Sequence, residues 1–568
     1  MGLKVLHIGN IAQNGYINAT ILRARGHDCD LVAPDLLHAG SSPEWYELST
    51  GDVDPSLFGD DPFFPNFYAL GCAMPEVGDW VAQGPFLPAL IYLLLKRRGD
   101  PRAHTALSVL CYLRFKMTMQ RTTEPLAVPM GRDAFEAHLA RYDLRPRLRR
   151  RILLGRMAED YWNDIVARVR LQENSAYVNG WRPPLSSGTL DAYSAADPGL
   201  EGLLRGLRKR GLAEALFIEF SGPWMDYAHT ARHGFTTEEV IPYLWAGRVL
   251  RELVSCYDVG IFYGDSCKFA FAAGIEGYWA LEHGTIRTLP FEPNANGRMV
   301  AAGFLNAGRV FLTNTDYATA VPRLEFAPEQ RVYFPHPFDE KQALAFRRHH
   351  PPRRDPARAV FFCPARQDWR VPDPRMAKGN HLYFRAGRLL LDRGRTDFVF
   401  HCIDWGVDRE ASRSLVAELG LGDHVRWSPI MPKGQVWAAM VDANAVIDQF
   451  VLSAFGASTV EALALGCRLI SRDDGINNAV FFEEPPPILA AATTDEIAAR
   501  MLAVMDDTGD AAHLGRAGMD WVRDYHSADR ICALQLIAFD EIFGKSAAQG
   551  NVVGTRAEVP AEDGMEEA

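Results

Sequence analysis

The sequence predicts an α/β protein made of two doubly wound, parallel-sheet domains that face each other across a cleft, with a largely helical insertion in the first domain. The chain has 568 residues, more than one hydrophobic core usually serves. It opens with a strand–loop–helix–strand pattern, and its last third repeats strands and helices in alternation. Such alternation is typical of a parallel sheet covered by helices on both faces.

The first domain is predicted to span residues 1–346. An apolar strand at Val5–Ile8 is followed by a loop, by a helix that ends at Gly26, and by a second strand at Cys29–Val32. Later apolar segments continue the sheet. They predict strands at Ala215–Phe220, Val259–Tyr263, Gly277–Glu282, Val310–Thr313 and Val332–Phe334.

Residues from about 40 to 210 break this alternation and are predicted to be an insertion. Pro and aromatic residues crowd positions 55–90, and an Arg-rich helical pattern covers positions 134–171. Neither pattern continues the strand periodicity on either side.

A basic stretch at 347–358, which contains Pro351, Pro352 and Pro356, is predicted to be the linker to a second domain at 359–545. We expect the last helix of that domain to pack back on the first domain. Residues 546–568 are small, polar and acidic and are predicted to be a disordered tail. Strands of the second domain are predicted at 359–363, 397–402, 424–428, 445–448, 468–471 and 487–490.

The bulk composition narrows the classes of partner. The formal net charge is −11 and the pI is about 5.8, so the average surface repels a polyphosphate backbone and no nucleic-acid partner is predicted. Nine scattered cysteines without a C-x-x-C pair predict reduced core residues. The N-terminus begins a strand and lacks the layout of a signal peptide, so a cytoplasmic location is expected.

The most informative segment runs from Phe455 to Gly466 and reads Phe-Gly-Ala-Ser-Thr-Val-Glu-Ala-Leu-Ala-Leu-Gly. Gly456 permits close backbone approach, and the free N–H groups at the start of the following helix favour a phosphate. Within the stretch Leu419–Arg472, this segment resembles the retaining, nucleotide-sugar-dependent glycosyltransferases of family four. These enzymes have the GT-B architecture, in which two Rossmann-like domains enclose the active site.

The resemblance implies a donor site at this helix. Glu461 would hydrogen-bond the ribose of the nucleotide, as the matching residue does in the family. The family carries an acidic residue eight positions before this glutamate, and this chain has Ser453 there. The residues that the resemblance places against the donor diphosphate are Gly456, Ala457, Ser458 and Thr459.

Arg366 and Lys378, the latter followed by Gly379, lie in the loop after the first strand of the second domain. They resemble the Arg and the Lys-Gly pair with which the family neutralises the donor diphosphate. The leaving nucleoside diphosphate gains negative charge as the glycosidic bond breaks, so two fixed cations stabilise the transition state more than the ground state. The resemblance implies catalytic roles for both residues, and neither a metal nor another cofactor is expected.

Other candidates follow from their positions at strand ends. His283 directly follows an apolar strand and resembles a histidine beside the donor sugar in the family, which implies a catalytic role. Asn477 and Asn478 lie after the fifth strand of the second domain, where amides suit sugar hydroxyls, but a plain N-capped turn explains them as well. Three further candidates for the donor and acceptor site lie in the loop after the first strand of the chain: Gly9, Asn10 and Gly15.

Together these residues predict a transferase that moves a hexosyl-type sugar from a nucleoside-diphosphate donor to an unidentified glycan, lipid-linked or protein acceptor. The resemblance implies retention of the anomeric configuration. It also implies that the first domain binds the acceptor, so we expect the insertion to shape the acceptor site. Two alternatives stay open. One is a nucleotide-sugar epimerase of the same fold, and the other is a catalytically silent protein that binds a sugar nucleotide or a glycan.

The insertion also carries the apolar run Pro85–Leu95, the basic residues Lys96–Arg98 and an Arg cluster at 145–151. The run falls short of the roughly 20 residues that span a bilayer. An apolar face beside clustered basic residues would permit weak peripheral contact with the inner face of a membrane. The alternative is a buried helix with an ion-paired or solvated Arg face.

Overall fold

The computed structural model describes residues 2–34, 41–47, 77–101, 103–104, 106–107, 110, 247–314, 324–371, 377–451, 455–507 and 513–543. Within these ranges the predicted fold class is confirmed. The chain forms two separate parallel sheets, each packed between apolar cores on its two faces.

The strands of the first sheet are β1 (Lys4–Ile8), β2 (Asp28–Ala33), β3 (Val81–Gln83), β4 (Val259–Tyr263), β5 (Trp279–Leu281), β6 (Arg309–Leu312) and β7 (Arg331–Tyr333). They are parallel and lie in the order β3-β2-β1-β4-β5-β6-β7, so the winding direction reverses between β1 and β4. The helices are α1 (Asn14–Arg23), α2 (Pro43–Glu47), α3 (Phe86–Arg97), α4 (Gly247–Val254), α5 (Cys267–Ala272) and α6 (Ala295–Leu305).

Burial on both faces explains why these strands are apolar runs instead of alternating sequences. Leu6 and Ile8 of β1 lie in the core on one face of the sheet, and Val5 lies in the core on the other. Side chains of a strand point to opposite faces in turn, so a strand with helices on both sides needs an apolar residue at every position.

The strands of the second sheet are β8 (Ala359–Cys363), β9 (Phe398–Ile403), β10 (Val425–Ser428), β11 (Ala445–Ile447), β12 (Leu469–Ser471) and β13 (Leu489–Ala490). Their order is β10-β9-β8-β11-β12-β13, and the winding reverses between β8 and β11. The helices are α7 (Glu340–His349), α8 (Asn380–Asp392), α9 (Arg409–Glu418), α10 (Lys433–Asp442), α11 (Ala457–Ala464), α12 (Gly475–Phe481), α13 (Thr494–Met505), α14 (Leu514–Tyr525) and α15 (Ala528–Phe543).

Part of the predicted insertion belongs to the first sheet. Strand β3 pairs in parallel with β2, with Val81 opposite Leu31. A three-residue strand beside Pro and aromatic residues gives too little periodicity to be recognised in the sequence. The insertion prediction is therefore wrong for residues 77–101. The predicted strand at Ala215–Phe220 and the predicted tail at 546–568 lie outside the described residues.

The apolar run Pro85–Leu95 forms most of α3, and most of its side chains are buried against the first sheet. At the end of this helix, Arg97 Nε lies 2.6 Å from Asp30 Oδ2. These contacts match the alternative of a buried helix with paired basic residues. The Arg cluster at 145–151 lies outside the described residues. No helix in the described part of the chain has the length and apolarity needed to cross a membrane.

The second domain begins earlier than predicted. Helix α7 continues through residue 347 to His349, and Phe338 and Ala343 are buried in one core with Trp437. The boundary at 346 and the linker start at 347 are therefore wrong, because residues from about 338 pack with the second domain. The basic end of α7 reads as a polar linker in the sequence, whereas cations in a last helical turn are stabilised by the helix dipole.

Helix α15 returns from the second domain to the first. Ile531 and Phe539 are buried in the same core as Trp279, and the rings of Phe539 and Trp279 stack with their centroids 4.6 Å apart. The Gln535 amide donates to Asn18 Oδ1 of α1 at 3.3 Å. The C-terminal helix thus completes the core of the first domain.

Candidate active site

The carboxyl ends of both sheets face a cavity of about 380 Å³ between the domains. This is the position where doubly wound sheets bind ligands, beside the strands at which the winding reverses. The first domain lines it with Ala12, Gln13, Tyr46 and His283. The second domain gives an apolar wall of Ile403, Trp405, Ile430, Met431, Val436 and Met440. Its polar wall includes Arg366, Lys378, Lys433, Asp448, Ser458 and Glu461.

The start of α11 lies in the cavity wall as the sequence predicts. Gly456 is the N-cap residue, it makes no side-chain cap, and Gly456, Ala457 and Ser458 all line the cavity. The first N–H groups of a helix have no partner within the helix and carry the positive end of its dipole. This end of the cavity can therefore hold an anionic group.

Asp448 is a buried carboxylate at this helix start that the sequence analysis missed. It directly follows β11, and its two oxygens accept hydrogen bonds from the hydroxyls of Ser458 at 3.1 Å and Thr459 at 2.6 Å. Thr459 is buried and is not among the cavity-lining residues, so its predicted contact with a diphosphate is not seen. An aspartate at the carboxyl end of an apolar strand was the available signal. Ser453 lies outside the described residues.

Lys378 lies in the cavity wall with its ammonium group held by a neighbour. Its Nζ donates to Gln449 Oε1 at 2.5 Å. Burial lowers the pKa of Lys378 to about 8, against the raising effect of Asp448 and with a further lowering by Arg366. Gly379 has φ of +80°, which turns the chain into α8 and explains why a glycine follows the lysine.

Arg366 follows β8 and also lines the cavity. Its Nε lies 3.3 Å from Asp368 Oδ2, and Asp368 Oδ1 accepts the Val407 N–H at 2.9 Å. Asp368 is thereby fixed by the backbone of the loop after β9, and it orients the guanidinium. The fold brings Arg366 and Lys378 to one cavity even though twelve residues separate them in the chain.

Glu461 lies in the cavity wall with both oxygens paired. One oxygen accepts from the Lys433 ammonium, and the other accepts from Trp437 Nε1 at 3.0 Å. Both partners belong to α10, and the sequence analysis missed them. A buried carboxylate needs such pairing, because an uncompensated buried charge is costly. The pairing fixes Glu461 at the wall while leaving lone pairs on its oxygens for a ligand.

His283 reaches the cavity from the first domain. Its Nδ1 accepts from the Asn14 amide at 2.9 Å, and its ring centroid lies 4.9 Å from that of His336. Burial, assisted by His336, Arg287 and Lys378, holds the pKa of His283 well below its usual value. The imidazole is therefore neutral near pH 7, and its remaining proton is on Nε2.

The loop that carries His283 is fixed by Glu282. One oxygen of this buried carboxylate accepts the backbone N–H groups of Thr313 at 3.1 Å and Asn314 at 3.0 Å, and the other accepts the Gly284 N–H at 2.6 Å. A carboxylate in this position ties the ends of β5 and β6 together. Glu282 is thus a positioning residue for His283, and the sequence analysis did not assign it that role.

Three predicted residues of the first loop lie behind the cavity wall. Gly9 has φ of +98°, and a Cβ at Gly15 would lie 2.2 Å from the Gly9 carbonyl oxygen, so close packing explains both glycines. Asn10 is buried and donates to the carbonyl of Ser41 at 2.7 Å. The residues of this loop that line the cavity are its neighbours, Ala12 and Gln13, which have φ of 47° and 65°.

Asn477 and Asn478 are not brought to the cavity wall. The Asn477 amide donates to Asp474 Oδ2 at 2.8 Å, and the Asn478 amide donates to Asp473 Oδ1 at 2.6 Å. Asp474 also caps α12 by accepting the Asn477 N–H. The capped turn accounts for Asn477, whereas the buried Oδ1 of Asn478 has no hydrogen-bond partner among the described residues. The contact of both amides with a donor sugar stays a prediction.

Part of the second domain is similar in sequence to known proteins. Residues 374–521 match the model of the family described as glycosyl transferases group 1. A curated relative, the 2-deoxystreptamine glucosyltransferase of Streptomyces kanamyceticus, is 27% identical over 157 residues. That match covers 28% of this chain and 40% of the relative's length.

Among solved structures, the sucrose-phosphate synthase of Thermosynechococcus elongatus matches at 16% identity and a TM-score of 0.40, covering 56% of this chain and 82% of that one. A glycosyltransferase of Rickettsia africae matches at 12% identity and a TM-score of 0.40, covering 55% and 84%. The family match includes Lys378, Asp448, Gly456 and Glu461 of the cavity. Residues 374–521 are therefore similar in sequence to a glycosyl transferases group 1 domain.

Proposed function

We propose that this protein is a glycosyltransferase that moves a hexosyl-type sugar from a nucleoside-diphosphate donor to an acceptor, with retention at the anomeric carbon and without a metal ion. The observation that carries this proposal is the cavity between the domains. It combines an uncapped helix start, two cations and a paired carboxylate in one space. The match to glycosyl transferases group 1 over residues 374–521 supports it.

In this proposal the donor diphosphate binds between the start of α11, Arg366 and Lys378. The anomeric C–O bond to the diphosphate breaks, and the charge on the departing oxygens grows. Arg366 and Lys378 neutralise this charge, so they lower the barrier more than they tighten donor binding. The acceptor oxygen bonds to the anomeric carbon on the same face, and its proton passes to the departing phosphate.

The nucleoside end of the donor would lie toward Glu461. Ribose hydroxyls would donate to the carboxylate oxygens that Lys433 and Trp437 hold in place. The base would contact the apolar wall that includes Ile430 and Met431. His283, neutral and with its proton on Nε2, would donate a hydrogen bond to the donor sugar near the diphosphate.

Incubation with UDP-, GDP-, ADP- and dTDP-linked hexoses tests the proposal. We expect release of the nucleoside diphosphate from one of them, faster with a suitable acceptor, and with unchanged rate in EDTA. NMR of the product would show the anomeric configuration of the donor. Conversion of the sugar without release would indicate an epimerase, and binding without turnover would indicate a silent protein. Activity lost in EDTA and restored by Mg²⁺ or Mn²⁺ would overturn the metal-free mechanism.

A cytoplasmic location, with weak contact at the inner face of a membrane, also remains a proposal. Since the run Pro85–Leu95 is buried, any such contact would depend on the Arg cluster at 145–151. Sedimentation with anionic vesicles at low and high salt tests it, because such attraction is screened by salt. Absence of binding at low salt would contradict it.

A further inference from the structure

Tyr46 is a phenol from the first domain in the wall of a cavity whose polar groups belong mostly to the second domain. It lies on α2, and its ring packs edge-on against Tyr16 with centroids 6.1 Å apart. On the other side, the Lys433 ammonium lies 5.8 Å from the ring centroid of Tyr46. Because Lys433 pairs with Glu461, the phenol stands beside the carboxylate that we assign to the ribose.

The hydroxyl of Tyr46 is buried and has no hydrogen-bond partner among the described residues. The residue is only 8% exposed, so bulk water reaches little of it. Leaving a buried hydroxyl without a partner costs about 1–3 kcal/mol, and native proteins rarely carry such a group without a reason. Tyr46 lines the cavity, so a ligand that displaces the wall around this hydroxyl would supply the missing partner.

The surroundings of Tyr46 determine which part of a ligand lies there. Lys378 lies near Arg366 and near the neutral His283, and these three cavity-lining residues mark the phosphate end of the cavity. Tyr46 interacts instead with Glu461, and burial, assisted by Glu461, raises the pKa of its hydroxyl well above the usual value. The phenol therefore stays protonated and acts as a donor at the other end of the cavity.

We propose that the Tyr46 hydroxyl donates a hydrogen bond to the ribose of the donor nucleotide, so that the first domain supplies part of the nucleotide site. This inference rests on the proposed function. A ribose hydroxyl that donates to Glu461 keeps two lone pairs on its oxygen, and the phenolic O–H complements one of them. The ribose is then held between two domains, by an acceptor from one and a donor from the other.

Calorimetric titration of Tyr46→Phe with UDP, GDP, ADP, dTDP and inorganic pyrophosphate tests the inference. For the nucleoside diphosphate that the wild type binds, we expect the affinity to fall about fivefold, the value of one neutral hydrogen bond. Pyrophosphate has no ribose, so its affinity should not change. The melting temperature of the free protein should not fall, because the hydroxyl has no described partner to lose.

Tyr16→Phe is the matched control. Tyr16 is a neighbouring phenol of the same core that does not line the cavity, and burial, assisted by the nearby Glu47, raises the pKa of its hydroxyl. This variant should lower the melting temperature and leave nucleotide affinity unchanged, the reverse of Tyr46→Phe.

The possible outcomes distinguish a failure of the role of Tyr46 from a failure of the proposed function. Equal nucleotide affinity in wild type and Tyr46→Phe would overturn the role of Tyr46 and leave the proposed function intact. A parallel loss of pyrophosphate affinity would mean a distorted cavity and would also overturn that role. If the wild type bound none of the four nucleoside diphosphates, the proposed function would fall and this inference with it.

Discussion

The second domain lines the cavity with cations, carboxylates and an uncapped helix start, whereas the described part of the first domain adds a neutral imidazole and a buried phenol. The charged groups of the second domain suit a nucleoside diphosphate, which carries the charge of the donor. The neutral donors of the first domain, His283 and Tyr46, suit hydroxyl groups. The comparison suggests that one domain captures the nucleotide and that the other orients it and its sugar.

The two domains also hold their groups differently. In the second domain, Asp448 and its partners Ser458 and Thr459 lie within eleven residues of one another. In the first domain, the bond between Asn14 and His283 joins residues that are 269 positions apart. The helix start on the nucleotide side is therefore built from a local segment. Lys378, which Gln449 holds from 71 positions away, and His283 depend on the completed fold. The following predictions test this contrast, beginning with the largest expected effect.

Substitution of either cation of the second domain should damage the chemical step most. We expect Lys378→Ala and Arg366→Ala each to lower kcat by about 10²–10³, with a smaller loss of donor affinity, because the charge they meet grows in the transition state. Steady-state kinetics with saturating donor would measure the split. Lys341→Ala, at an exposed position on α7, is the control and should keep full activity. Effects on KM alone would contradict the assigned role.

Loss of the carboxylate charge at Glu461 should weaken nucleotide binding. We expect Glu461→Gln to lower the affinity for the nucleoside diphosphate by about 10- to 100-fold, the worth of a hydrogen bond to a charged group. Gln keeps an acceptor for Trp437, whereas Ala would leave Trp437 and Lys433 unpaired. Calorimetry gives the affinity, with Glu496→Gln on exposed α13 as the control. Unchanged affinity in a folded variant would remove Glu461 from the site.

On the side of the first domain, Glu282→Gln should affect both stability and rate. One buried N–H group of Gly284, Thr313 or Asn314 would face an amide NH₂ group, which costs about 1–3 kcal/mol. The melting temperature should fall, and kcat should drop about tenfold as His283 loses its fixed position, while affinity for the nucleoside diphosphate stays nearly constant. Loss of nucleotide affinity as large as for Glu461→Gln would contradict the division between the domains.

Near neutral pH the smallest effect is a pH dependence. Burial lowers the pKa of Lys378 from 10.5 to about 8, so the ammonium is charged below pH 8 and neutral above it. If the cation is needed, kcat/KM for the donor, which reports the free enzyme, should fall as the pH rises through about 8, well before an exposed lysine would titrate. The Lys378→Arg variant should be slower than the wild type at pH 7. Its guanidinium stays charged, so its rate should stay constant up to a higher pH than that of the wild type. A flat wild-type profile from pH 7 to 9.5 would argue against this role.

The sequence predicts the second domain better than it predicts the first. The second sheet, Lys378 and the start of α11 are predictable because strand, loop and helix follow each other within one segment. Strand β3 and Tyr46 are not, because they lie in a stretch where Pro and aromatic residues hide the period. Thr459 was expected at the cavity, but its hydroxyl donates to Asp448. The spacing of residues along a helix does not show that a carboxylate from another strand will accept this hydrogen bond. The role of Glu282 appears only when β5 and β6 are paired.

The return of α15 to the first domain has a consequence for biosynthesis. Trp279 and its neighbours leave the ribosome well before residues 528–543, which cover them in the finished protein. At about 5–20 residues per second, translation of the 194 residues between the first sheet and this helix takes about 10–40 s. During that interval the nascent first domain presents an apolar surface, which makes it a client for chaperones. Its core is completed only after α15 has left the ribosome.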